Sequence, residues 1–101
     1  MHRKLRNVEH LTIHGWMINK LKLTEVELIL FALIYSYAQD GTTLEWSYAD
    51  DFRTWLVELG FDFDSDLSSI DYYMNNLRMK GYVNVCKEGF SIVRHIKELE
   101  D

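Results

Sequence analysis

The chain has no proline and only five glycines in 101 residues, so it has little with which to build a loop-rich or strand-dense architecture. Its one cysteine, Cys86, excludes an intrachain disulfide and any zinc site made of several thiolates, and fits a reducing compartment. The longest apolar run, Leu28 to Tyr35, is far short of the ~20 residues that span a bilayer. The start, MHRKLRNVEHL, has no apolar stretch behind its charges to make a secretion signal. A cytoplasmic protein with no membrane partner is therefore expected. Also missing are a glycine-rich phosphate loop, a nucleophile elbow and any other catalytic constellation, so no enzyme and no cofactor is expected. His10 and His14 stand four apart beside Glu9, but Gly15 follows at once and Ile13 alternates as in a strand, so no metal site is read there.

Positive charge is scarce in the middle of the chain. Residues 23–79 hold Arg53 and Arg78 as their only bases, while 1–22 carry a net +4 and 80–101 balance. The overall net charge is −5. Length and an apolar fraction of 48% fit one soluble domain spanning 1–101, with a core of modest size.

The elements follow from periodicity and caps. Residues 1–11 read as a flexible basic arm. Gly15 breaks a short extended piece before a short helix at 16–21, packed through Trp16, Met17 and Leu21. Thr24-Glu25-Val26-Glu27 is a capping box that opens a long helix running to Ala38 and stopped by Asp40-Gly41. From Leu28 to Tyr35 that helix is apolar all round, which predicts a central helix covered on one side by the fold and on the other by a second copy. Thr42-Thr43-Leu44 reads as a short strand. Ser47 is the expected N-cap of a helix over 48–59, ended by Gly60. Leu67, Ile70, Met74, Leu77 and Gly81 share one face of a last helix, 65–81. Strands over 82–85 and 90–93 then form a hairpin whose tip holds Lys87, and Cys86 reads as an inward packing residue. The tail from Arg94 reads as an indifferent helix or an extended end. Together these predict a mainly α protein with a small β-hairpin wing, a winged helix-turn-helix in which 47–81 is the helix-turn-helix and 82–93 the wing.

Three stretches carry a family likeness: Ile13-His14-Gly15-Trp16-Met17 with Leu21 to Leu28, Ala32 to Gly41, and the Phe52–Trp55 pair. Together they resemble winged-helix proteins of phages and mobile elements in Gram-positive bacteria. They are similar to the N-terminal domains of replisome organisers and DnaD-like replication initiators. The resemblance runs from Ile13 to Val83. It implies a double-stranded DNA partner, self-association as a homodimer, and a role in transcription regulation or replication inside a bacterial host. The stretch 60–66 departs from the family, being long and acidic where the family's turn is short and rich in Ser, Thr and Lys.

On a helical wheel the face opposite Leu67, Ile70, Met74 and Leu77 carries Ser65, Ser68, Ser69, Tyr72, Asn75, Asn76 and Lys80, which suit base edges and phosphates. Arg78 falls near the core-side edge. Lys87 at the tip, Arg94 after the second wing strand, and Arg3, Lys4 and Arg6 in the arm are the expected phosphate contacts, with Lys20 and Lys22 as further cations. Asp62, Asp64 and Asp66 cluster at the start of the same helix, with Asp71 beyond them; Asp64 and Asp66 suit caps that complement the helix dipole, but Asp62 is the wrong sign for duplex DNA. With Trp46, Tyr48 and Tyr72 as exposed anchors, they support an alternative in which the fold contacts a basic host protein. An acidic nucleic-acid mimic inhibiting a host nuclease or polymerase, as anti-CRISPR proteins do, would be of this kind.

Overall fold

The computed structural model describes residues 11–38, 40–61 and 68–100, with the backbone alone at Ser68 and Ser69. The arm residues Arg3, Lys4 and Arg6 and the acids Asp62, Asp64 and Asp66 lie outside the described residues, as do the side chains of Ser68 and Ser69. Leu11, counted above as part of the arm, packs against the core.

Four α-helices pack with a three-stranded antiparallel sheet. They are α1 (Gly15–Leu21), α2 (Glu25–Ala38), α3 (Ser47–Glu58) and α4 (Ser68–Met79); the strands are β1 (Leu44–Glu45), β2 (Val83–Val85) and β3 (Gly89–Ile92). The sheet order is β1-β3-β2. Leu44 pairs with Phe90 on one edge of β3, and Val83 pairs with Ile92 on the other. A 3-10 helix, Arg94–Glu98, closes the chain.

The uniform apolarity of α2 puts it at the centre. Every residue from Leu30 to Tyr35 is buried, against α1, α4 and β3 of the same chain. Burying so many large side chains, at ~25 cal/mol per Å² of apolar surface, supplies most of what holds the small fold together. Val26, Leu28, Ile29 and Tyr37 are half-buried, so much of the side expected to face a second copy is covered from within.

Two local details differ from expectation. Trp46, not Ser47, precedes α3, and Ser47 is the first helical residue, with no side-chain cap bond from Trp46. Cys86 is exposed, because it follows Val85 out of the ladder into the hairpin turn. Gly60 does take the left-handed conformation (φ +107°) that its position after α3 requires. Among the described residues no helix is long and apolar enough to cross a membrane.

Candidate functional site

The amphipathic period of α4 directs Ile70, Met74 and Leu77 into the core and leaves three other sides to account for. The side toward α2 is occupied. Asn76 Nδ2 donates to Glu27 Oε2 at 2.9 Å, and Lys80 Nζ donates to Glu27 Oε1 at 2.8 Å. The Thr24 amide donates to the same Oε1 at 3.2 Å, so the capping-box reach of Glu27 is present. Glu27 is only 4% exposed. Desolvation pushes its carboxyl up, but the Lys80, Thr24 and Asn76 hydrogen bonds and the Lys80 charge outweigh it and leave it below the usual 4.5. Asn76 and Lys80, expected on an outward DNA-reading face, are thus turned to a buried carboxylate on α2. The wheel missed this because a sequence shows a helix's polar residues but not which neighbour they meet.

The outermost side carries Tyr72 and Met79, at 62% and 71% exposure. Tyr72 is the only one of the three expected anchors that stands free of the core. Tyr48 is half-buried against Tyr37 and Phe52. Trp46 is half-buried with its ring on Phe90, and its Nε1 donates to the Cys86 and Lys87 carbonyls at 3.0 and 3.1 Å. Trp46 therefore holds the hairpin tip in place. No motif announces that role, since the partners are main-chain carbonyls forty residues away.

The third side of α4, toward α3 and the hairpin, borders an open groove of about 670 Å³. Ile70, Met74, Ala49, Val85 and the Trp46 ring supply its apolar surface. Asp50, Asp71, Asn75 and Arg78 supply its polar one. Arg78 is exposed rather than near the core, and its Nη2 and Nε donate to Asn75 Oδ1 at 2.8 and 3.1 Å. Lys87 adjoins this groove through the carbonyl it offers to Trp46. Asn75 and Arg78 line one surface, with Tyr72 on the neighbouring side of α4, and Lys87 is linked to it only through its main-chain carbonyl.

Arg94 does not join that surface. It lines a second depression of about 480 Å³ with Asp40, Asn84, Ser91 and Lys97. Asn84 and Ser91 alternate with the inward Val83 and Ile92, so this depression lies on the sheet's other face. Lys20, another expected cation, donates to the Leu99 carbonyl at 3.2 Å. Among the described residues no group of His, Cys, Asp and Glu could hold a metal ion. No protein-family model matches the chain, and no curated protein or solved structure does.

Proposed function

We propose that the chain is a winged helix-turn-helix domain that binds double-stranded DNA without catalysis, as a regulator or replication factor of a phage or mobile element, and that it acts as a homodimer. The single observation that supports this best is the tethering of the hairpin tip to the groove beside α4. Trp46 lines the groove with Asn75 and Arg78 and binds the Lys87 carbonyl, and a helix with an adjoining hairpin that carries a cation is what a duplex groove and its flanking phosphates can accept. The order β1-β3-β2 behind α3 and α4 agrees with that fold.

The reading implies a small electrostatic footprint. With Arg78 and Lys87 as the main described cations on the surface, each protomer neutralises about two phosphates, and log K falls with log salt at a slope of roughly −2 per protomer. Fluorescence anisotropy with duplex DNA across a salt series tests it. The Arg78→Ala/Lys87→Ala variant is expected to lose most affinity and flatten the slope, with Tm little changed. Binding that ignores both substitutions, or no binding at low salt, overturns the reading.

A second reading has its own support. Asp50 and Asp71 border the same groove, and Tyr72 and Met79 leave an apolar strip beside it, which suits a basic protein partner such as a nuclease or polymerase. Under that reading Asp50→Asn/Asp71→Asn abolishes capture of a stoichiometric host protein and leaves DNA binding absent in both forms.

A further inference from the structure

We infer that Arg78, held in place by Asn75, reads a guanine in the major groove, which rests on the DNA reading and deepens it by naming the base. Residues three apart share a helical side, and helical side chains lean towards the helix N-terminus, so Arg78 reaches back over Asn75. Its Nη2 and Nε donate to Asn75 Oδ1 at 2.8 and 3.1 Å. Asn75 Nδ2 in turn donates to Met79 Sδ at 3.5 Å, which agrees with the amide oxygen facing Arg78. These bonds use one edge of the guanidinium. Its remaining N–H groups, the end-on fork, have no partner among the described residues, and the side chain is exposed. Bound in this way, the guanidinium has already given up much of the rotamer freedom that recognition otherwise costs.

The donor pattern selects the base. Arginine offers donors only, and guanine alone presents two adjacent acceptors, O6 and N7, in the major groove. Adenine sets an N6 donor beside its N7, and thymine sets a methyl group beside its O4. Asn75 is the residue type that suits adenine, but its oxygen is taken by Arg78 and has no lone pair left for an adenine N6–H. The acids select the group that Arg78 meets. Asp50 and Asp71 line the same groove and repel a phosphate there, whereas the uncharged edge of a base is accepted beside them. The Arg78 charge, set between two rows of phosphates, still contributes to the salt dependence.

The probe is a duplex enriched from a random library by the whole protein. Each guanine is replaced in turn by 7-deazaguanine, which lacks N7, or by inosine, which keeps O6 and N7 and loses only the minor-groove amine. Anisotropy is expected to show one guanine position per half-site where 7-deazaguanine weakens binding about tenfold or more and inosine changes it little. Arg78→Lys keeps the charge and loses the fork, so it should retain the salt slope and bind the guanine and 7-deazaguanine duplexes alike. Asn75→Ala should shrink the same ratio with Tm and salt slope unchanged, the mark of a positioning residue. Binding that is indifferent to 7-deazaguanine at every position overturns this inference and leaves the DNA reading standing. An Arg78→Lys variant that still discriminates gives the guanine to another residue and overturns it as well. No binding at low salt overturns both. The base replacements alter only the DNA, so the first outcome does not depend on any variant folding.

Discussion

Glu27 shows how one residue carries more than its local sequence states. Four residues read as a capping box explain its bond to the Thr24 amide, but not the Asn76 and Lys80 donors that converge on the same carboxylate. Removing it by Glu27→Ala leaves Asn76 with a half-buried donor and no acceptor, while Lys80, 39% exposed, rehydrates more easily. The expected cost is about 1–3 kcal/mol in denaturant unfolding, less than for a fully buried pair. The pH dependence has a definite sign. The folded carboxyl titrates below its ordinary value, so its contribution is complete above about pH 4.5 and is lost as pH falls through the lowered folded value. Glu27→Gln should therefore lower Tm at neutral pH and flatten the acid limb of a Tm–pH curve, the two curves converging as pH falls.

Among the elements, the sheet depends on one glycine. Gly89 opposes Glu45 across the β1–β3 ladder, and a Cβ there would fall on the main-chain carbonyl of Leu44. Gly89→Ala must push β1 from β3, and Trp46 follows β1 directly, so the clamp on the hairpin turn shifts with it. The expected loss is about 1–3 kcal/mol, as for overpacking elsewhere, with faster amide exchange in β1 as its local mark. The hairpin was legible from alternation and turn residues, and the short third strand, expected over Thr42-Thr43-Leu44, forms at Leu44–Glu45. Nothing in the sequence singled out Gly89, because the need for a bare backbone appears only when another strand's carbonyl is brought against it. On α4 the buried face was legible for the same reason that the polar faces were not. Apolar period reports the core, whereas Asn75, Asn76, Arg78 and Lys80 look alike until α2 and α3 are set on either side.

At the scale of the whole molecule, the C-terminal half is tied back to α1 and α2. Tyr35 donates to Glu100 Oε2 at 2.8 Å, Lys20 donates to the Leu99 carbonyl, and Tyr82 donates to the Leu21 carbonyl at 3.1 Å. Burial, followed by the hydrogen bond to Glu100 and its charge, pushes the Tyr35 phenol up to about 12. Since the folded value exceeds the ordinary 10, this stabilisation is intact below about pH 10 and lost as pH rises towards 12. Ultraviolet titration should show one of the six tyrosines ionising late, at about 12, and Tyr35→Phe should remove that step. If all tyrosines ionise together near 10, the tail is not docked on α2.

The sequence by itself determined the element order, the burial of α2 and the apolar face of α4, since each is written in a local period or cap that neighbours need not supply. A hairpin beyond them was legible for the same reason. Only the tertiary structure decided which polar groups share a surface. It turned Asn76 and Lys80 to Glu27, drew Arg94 to the far side of the sheet, and left Asn75 and Arg78 on a groove bordered by Asp50 and Asp71. The physical reason is range: apolar burial repeats every few residues along the chain, whereas a hydrogen bond or a charge pair is defined by partners that folding brings from forty to eighty residues away.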